Sequence, residues 1–188
     1  MAERVCPWWV GYLLASPIRR WLSENPEELL QPFVRAGMTV LEPGPGMGFF
    51  TLPMARLVGP SGRVVAVDIQ PKMIESLRRR AARRGVAERI DARLAAPNRL
   101  GLEDLAGKVD FVLAFAVVHE TPSAERFFAE AANALKPGGS VLFAEPSGHV
   151  NAEKFADELA AARAAALEVV DRPSIRRSLA AVLKKRAA

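Results

Sequence analysis

One short segment, residues 40 to 48, constrains the fold more than any other part of the chain. It reads Val-Leu-Glu-Pro-Gly-Pro-Gly-Met-Gly, so an apolar stretch ends in Glu42 and three glycines then alternate with other residues. A second apolar stretch, residues 63 to 67, ends in Asp68. Glycines let the backbone approach a ligand without Cβ interference, and an acid about 20 residues beyond such a loop holds ribose hydroxyls. The segment therefore predicts a nucleoside-binding strand–loop–helix–strand unit.

Strand and helix patterns alternate from Met38 onward, which predicts an α/β fold with a doubly wound, mainly parallel sheet. We predict strands over residues 38–41, 64–67, 90–94, 109–116 and 140–144, and a final antiparallel hairpin of strands 167–170 and 178–183. We predict helices over residues 49–58 and 71–84, from Thr121-Pro122 to Lys136-Pro137-Gly138-Gly139, and from an Asn151 cap through Ala166.

The first 36 residues differ from this alternation, because they carry two short helical patterns near residues 18–22 and 27–35. We predict an N-terminal helical cap over residues 1–36 and one compact ligand-binding domain over residues 37–188. Three aromatic residues of the cap have two interpretations, as packed core or as an apolar lid over the ligand: Trp8, Trp9 and Tyr12.

The glycine spacing argues against a dinucleotide ligand. A Gly-x-Gly-x-x-Gly loop counted from Gly44 would place its third glycine at Phe49. No Gly-Lys-Ser/Thr sequence is present, so a loop that cradles nucleoside triphosphates is not predicted either. Glu42 beside the loop would repel a phosphate and attract an ammonium group. A ligand with an amino-acid end and a ribose end satisfies both Glu42 and Asp68.

This arrangement resembles motif I of the class I S-adenosylmethionine-dependent methyltransferases, with Asp68 as the acid that binds ribose. The resemblance covers Met38 to Leu183 and is greatest to small single-domain members, such as quinone-biosynthesis C-methyltransferases and the core of arsenite methyltransferases. Those enzymes share the Lys136-Pro137-Gly138-Gly139 element. The resemblance implies a Rossmann-like, seven-stranded sheet in the order 3-2-1-4-5-7-6 with strand 7 antiparallel. It also implies that S-adenosylmethionine is the cofactor and that the protein transfers its methyl group.

The chain departs from the family pattern after the third strand, where Leu94-Ala95-Ala96-Pro97-Asn98 contains no acid for the adenine amino group. Backbone groups or Asn98 would have to replace that acid, and Ile69 is placed to pack on the adenine face. The cofactor-binding residues that the resemblance implies are Glu42, Gly44, Pro45, Gly46, Gly48, Asp68, Ile69, Ala95, Asn98 and Phe115.

The only two histidines of the chain follow the fourth and fifth predicted strands, each with an acid nearby: His119-Glu120 and Glu145…His149. Ligands bind outside the carboxyl ends of the strands in open α/β sheets. We therefore predict His119, Glu120, Glu145 and His149 as catalytic candidates. Three interpretations stay open: substrate binding or general-base catalysis, histidines held in loops by structural hydrogen bonds, and a metal site of both histidines with one acid.

Composition narrows the classes of partner. The net charge is +5, and the densest basic patch, residues 78–84, has no interleaved aromatic residues, so nucleic acid is not the expected partner. Cys6 is the only cysteine, which fits a reducing cytoplasm and contrasts with the several thiols of arsenite methyltransferases. The longest apolar run, residues 111–118, is too short to span a bilayer.

These observations predict a cytoplasmic methyltransferase that acts on a small-molecule acceptor. The alternative is a non-catalytic module that binds S-adenosylmethionine or another nucleoside and regulates another process. The retained acids and histidines favour the enzyme. The sequence leaves the oligomeric state open.

Overall fold

The computed structural model describes residues 25–186, which contain five α-helices and seven β-strands. The helices are α1 Pro26–Leu30, α2 Thr51–Leu57, α3 Pro71–Arg83, α4 Ala124–Ala134 and α5 Ala152–Ala164. The strands are β1 Thr39–Pro43, β2 Arg63–Asp68, β3 Ile90–Leu94, β4 Val109–Phe115, β5 Leu135–Pro146, β6 Leu167–Asp171 and β7 Ser178–Lys185.

The strands form one seven-stranded sheet in the order β3-β2-β1-β4-β5-β7-β6. β1, β2 and β3 pair in parallel, as do β4 and β5, whereas β7 runs antiparallel to both β5 and β6. This confirms the predicted Rossmann-like order and the antiparallel seventh strand. The chain divides after Ala95 into two compact units, the first unit with β1–β3 and the second unit with β4–β7.

In the first unit the central strand is β2, which is buried along almost all of its length. α2 and α3 both pack against β2, and α3 also packs against β3. α3 begins at Pro71, whose fixed φ and missing N–H suit the first turn of a helix. Its buried face contains Met73, Ile74 and Leu77 at the i, i+1 and i+4 spacing of an amphipathic helix.

The second unit is held together by a run of aromatic side chains that joins its helices to β5. Phe128 of α4 meets Phe143 of β5 edge-on at 5.2 Å between ring centroids, and Phe155 of α5 stacks on Phe143 at 5.0 Å. Aromatic pairs in these geometries add to the stability that burial alone provides. They fix α4 and α5 relative to the end of β5, where the predicted acid Glu145 lies.

The predicted end of α4 is wrong by a few residues. The helix stops at Ala134, and the Lys136-Pro137-Gly138-Gly139 segment lies within β5. β5 pairs with β4 on both sides of the segment: Leu135 before it pairs with Val109, and Ser140 after it pairs with Phe111. A bulge therefore accommodates turn residues that would otherwise end a strand.

The N-terminal cap stays a prediction, because residues 1–24 lie outside the described residues. That segment contains the pattern near residues 18–22 and the residues Cys6, Trp8, Trp9 and Tyr12. The second predicted helix is shorter than expected and covers Pro26–Leu30. Asn25 caps it by accepting a hydrogen bond from the Glu27 backbone N–H at 3.1 Å.

Candidate active site

The glycine loop, residues 44 to 48, leaves the end of β1 and is tied to the neighbouring strand. The Gly44 N–H donates to the Val67 carbonyl at 2.8 Å. Gly46 has a φ of +54°, and a Cβ built on it would meet nothing within 4 Å. Gly48 has a φ of +87°, and its Cβ would lie 2.6 Å from the Leu77 side chain. A side chain at position 48 would crowd Leu77, whereas Gly46 leaves open space that a ligand can approach.

Glu42, at the end of β1, is only 3% exposed. Thr51, the first residue of α2, donates its hydroxyl to Glu42 Oε2 at 2.5 Å. Burial raises the pKa of Glu42 to about 8; the Thr51 hydrogen bond opposes this rise and the Asp68 charge adds to it. Glu42 is thus mainly uncharged at neutral pH until a cation comes close. Sequence analysis missed Thr51, although a hydroxyl at the start of the helix after a glycine loop was a visible signal.

Asp68 ends β2 and lies beside the predicted residue Ala95. Its Oδ1 accepts from the Gln70 N–H at 2.8 Å, and its carbonyl accepts from the Ala95 N–H at 3.0 Å. Ile69 and Leu94 are among the few exposed large apolar residues, at 37% and 58%. They supply an apolar surface at the ends of β2 and β3, which suits the flat face of an adenine. Sequence analysis missed Leu94.

Two predicted cofactor residues, Asn98 and Phe115, belong to the second unit. Phe115 is the last residue of β4 and is half-buried. Asn98 is exposed, and its backbone carbonyl accepts from Arg126 Nη1 at 3.2 Å. Contact of either residue with a cofactor stays a prediction.

Glu145 is a fully buried acid near the end of β5 that ties this strand to the turn after β4. Its Oε1 accepts from the backbone N–H of Val118 at 2.8 Å and of His119 at 3.3 Å. Its Oε2 is hydrogen bonded to Nδ1 of His119. One carboxylate therefore satisfies three donors of a single turn, Val118–Glu120.

His119 is oriented by this contact. The hydrogen bond to Glu145 raises its pKa above the usual value for histidine, against the effect of burial, and the charges of Glu145 and Glu120 raise it further. A neutral ring that donates through Nδ1 has its lone pair on Nε2. Nε2 lies 3.9 Å from Glu120 Oε1, and the exposed His149 ring meets His119 edge-on at 5.6 Å. The structure thus brings the four predicted catalytic residues together.

Glu120 does not cap α4. Ser123 is the cap, and its hydroxyl accepts from the Arg126 N–H at 3.1 Å. Between residues 25 and 186, no group of three or more His, Cys, Asp or Glu side chains is arranged to hold a metal ion. The same part of the chain has no helix long and apolar enough to cross a membrane.

A cavity of about 260 Å³ opens beside His119, between the turn after β4 and the helices α4 and α5. Sequence analysis missed its most buried acid, Glu158, which follows Phe155 by three positions on the buried face of α5. A charged residue at a core position of an amphipathic helix was the available signal. The polar residues that line the cavity are His119, Thr121, Glu125, Lys154, Asp157 and Glu158.

Residues 41–143, more than half of the chain, match the family model described as a methyltransferase domain. The chain belongs to this family. It is a class I S-adenosylmethionine-dependent methyltransferase by family, and S-adenosylmethionine is its cofactor. The glycine loop, the two acids at the strand ends and the exposed apolar residues of the first unit fit that cofactor.

Several known proteins resemble this methyltransferase. Arsenite methyltransferase of Halobacterium salinarum is 36% identical over 58% of this chain and 27% of its own length. Ribosomal protein L11 methyltransferase of Pelotomaculum thermopropionicum is 40% identical over 83% of this chain and 47% of its own length. The chain thus spans less than half of either relative. The crystal structure of a methyltransferase from Aquifex aeolicus shares the fold, with a TM-score of 0.84 and 22% identity over 96% of this chain and 99% of that one.

The same substitution is expected to act mainly on cofactor affinity at Gly46 and mainly on stability at Gly48. We expect Gly46→Ala to lower cofactor affinity with a stability loss of only about 1–2 kcal/mol, because its Cβ meets open space and the cost is that of a left-handed backbone. Gly48→Ala should lower stability more, since its Cβ would overlap Leu77. Calorimetric titration and thermal unfolding of both variants measure these effects. Unchanged cofactor affinity in a folded Gly46→Ala variant would contradict the assignment.

Proposed function

We propose that this methyltransferase transfers the methyl group of S-adenosylmethionine to a small-molecule acceptor. The observation that carries the proposal is the Glu145–His119 pair at the edge of a cavity in the second unit. The cavity volume of about 260 Å³ falls below the roughly 300–1,000 Å³ usual for ligand pockets, which favours an acceptor with few atoms. One of the two relatives is named for a small molecule, arsenite, and the other for a protein.

The first unit supplies the groups that would hold the cofactor. Asp68 would accept hydrogen bonds from the ribose hydroxyls, and Glu42 would attract the ammonium group of the amino-acid end. Gly46 lets the backbone approach, and Ile69 with Leu94 would contact the adenine. When bound, S-adenosylmethionine supplies an electrophilic methyl group on sulfur, and the carbon–sulfur electron pair stays on sulfur as the acceptor bonds to carbon.

His119 would act on the acceptor as a general base. Its Nδ1 contact with Glu145 leaves Nε2 to take a proton from a hydroxyl, an amine or a carbon acid. The raised pKa of His119 makes its neutral ring a stronger base than an ordinary histidine, at the cost of a smaller neutral fraction at neutral pH. Glu145 has no exposed surface, so its part would be to orient the ring and stabilise the protonated form.

Parallel calorimetric titrations with S-adenosylmethionine, S-adenosylhomocysteine and NADH test the cofactor assignment. We expect both adenosyl compounds to bind and NADH not to bind, because the loop lacks the third glycine of a dinucleotide site. Turnover with a panel of small phenols, thiols and amines then tests the acceptor class. Binding of NADH alone would overturn the proposal, and cofactor binding without turnover on any acceptor, macromolecules included, would favour the non-catalytic alternative.

Binding of S-adenosylmethionine in the same titrations should release a proton from Glu42. Its pKa of about 8 means that the carboxyl is mostly protonated at pH 7, and a bound ammonium would favour the ionised form. We therefore expect cofactor affinity to rise with pH up to about pH 8 and then to level off. Titration in buffers of different ionisation enthalpy measures the released proton. Glu42→Gln serves as the control, because it removes the ionisable group and should abolish the pH dependence.

Three further assignments rest on sequence and stay proposals. They are the helical cap over residues 1–36, a cytoplasmic location suggested by the single cysteine, and an acceptor other than nucleic acid. The basic residues of α3 are partly engaged within the first unit. Arg78 Nη2 donates to the Ala92 carbonyl at 2.6 Å, and Arg79 lies 3.9 Å from Glu75.

A further inference from the structure

Glu158 is a buried acid that the proposed mechanism does not use. It lies on α5, is 4% exposed and lines the cavity beside His119. In residues 25–186, no donor forms a hydrogen bond with its Oε2. Buried polar atoms almost always have a partner, and leaving one without costs free energy. A carboxylate oxygen without a donor at the wall of a cavity is open to a donor that a ligand supplies.

The charges around Glu158 identify the kind of donor. Glu145 of β5 and Asp157 of α5 raise its pKa, whereas Lys154 of α5 and His119 lower it. Burial is the largest influence and brings the pKa of Glu158 to about 7. Glu125 of α4 adds another acid to the lining. Three carboxyl groups of the lining thus face one lysine and one histidine, so the cavity favours a cation over an anion.

We propose that this cavity binds a small molecule with a primary or secondary ammonium group, one N–H of which donates to Glu158 Oε2. A neutral alcohol could also donate a hydrogen bond, but it would gain nothing from the surrounding carboxylates. The inference rests on the proposed function in one respect, because it assigns this amine as the methyl acceptor. It narrows the proposed class of methyl acceptor from small molecules in general to amines.

His119 lines the same cavity and can prepare such an acceptor. An ammonium nitrogen has no lone pair, so one N–H bond must break first, with its electron pair staying on nitrogen. His119 Nε2 would take that proton, while Glu158 would hold a second N–H. The two side chains lie on different elements, His119 on the turn after β4 and Glu158 on α5, and together they would orient the nitrogen.

Ligand titrations followed by NMR test the site with the full chain and without any cofactor. The probes are propylammonium and 1-propanol, which have similar size and differ in charge. We expect propylammonium to shift the resonances of the cavity lining and to bind at least about fivefold more tightly than 1-propanol, since hydrogen bonds to charged groups are stronger. Glu158→Gln should remove most of that preference. Glu153→Gln is the matched control, because Glu153 lies on the same helix and is exposed.

Equal binding of the two probes, or a preference that survives in Glu158→Gln, would overturn the inference. Cofactor binding by the full chain with no binding of propylammonium at the cavity would overturn it too and leave the proposed function standing. Failure to bind the cofactor would instead contradict the proposed function, whatever the probes show.

Thermal unfolding checks that Glu158→Gln is folded and reports on Glu158 independently. The folded pKa of Glu158 is raised, so the wild-type protein loses stability as pH rises from the unfolded pKa toward about 7. Gln lacks this ionisation. The melting temperature of the variant minus that of the wild type should therefore be higher at pH 8 than at pH 5. If this difference in melting temperature is the same at both pH values, the assignment of Glu158 as a buried, unpartnered carboxyl is contradicted.

Discussion

Replacement of His119 by alanine is expected to lower kcat by about 10²–10⁴-fold, the usual contribution of a general base. S-adenosylmethionine affinity should stay the same, because His119 is not among the residues assigned to the cofactor, whereas Asp68 and Glu42 are. Steady-state kinetics with the best acceptor from the panel, together with calorimetric titration of the cofactor, separates the two effects. Equal losses of turnover and cofactor affinity would show that His119 has a structural role.

Glu145→Gln distinguishes a positioning acid from one that only holds the turn. Gln keeps an oxygen acceptor for the backbone N–H groups of Val118 and His119. It removes the carboxylate oxygen that is hydrogen bonded to His119 Nδ1 and the negative charge, both of which raise the pKa of His119. We expect the acidic limb of the pH profile of kcat/KM to move to lower pH, because the ring then loses its proton more easily. An unchanged profile with reduced thermal stability would show that Glu145 has only a structural role.

His149→Ala should lose less activity than His119→Ala, since the His149 ring meets the His119 ring only edge-on, at 5.6 Å between ring centroids.

Replacement of Asp68 by alanine is expected to weaken S-adenosylmethionine binding by about 1.5–3 kcal/mol, the scale of hydrogen bonds to a charged group. This corresponds to roughly 10- to 150-fold in Kd. S-adenosylhomocysteine should weaken by a similar factor, because it has the same ribose. Calorimetric titration of both ligands measures the loss, and unchanged affinity would show that the ribose binds elsewhere.

Two further variants control for damage to the fold. Asp68 also accepts from the Gln70 N–H, so Asp68→Asn keeps an oxygen for that bond and removes only the charge. We expect this variant to be folded and still to bind the cofactor weakly. Asp91→Ala is the matched control from β3, because Asp91 pairs with Arg63 and Arg93 and is not assigned to the cofactor. A comparable loss of affinity in Asp91→Ala would point to general destabilisation.

The sequence predicted the strands and the loop positions because these depend on local signals. An apolar strand, a glycine loop and a strand-end acid are encoded within a few residues, and the family resemblance supplies the strand order. The Lys136–Gly139 element was misassigned to a helix end for the opposite reason. Its residues favour a turn locally, but pairing of Leu135 with Val109 and of Ser140 with Phe111 keeps it in β5.

The parts of the site that sequence analysis missed depend on distant contacts. Glu145 and His119 are 26 positions apart, and no local pattern shows that one carboxylate binds the other residue's ring and backbone. The Thr51–Glu42 bond and the unpartnered oxygen of Glu158 likewise depend on how helices pack on strands. Sequence analysis therefore found the strand-end acids and the histidines, whereas Glu158 and the pairing and charge state of these groups required coordinates.

The attachment of His119 to a buried strand has a consequence for how new specificities could arise. The base is anchored by Glu145, which β5 carries into the interior, whereas most other polar residues of the cavity lie on α4 and α5. Substitutions on the helices could alter which molecule fits while the proton acceptor keeps its orientation. Divergence or directed evolution could then exchange one substrate for another through the helices alone, without rebuilding the reactive centre.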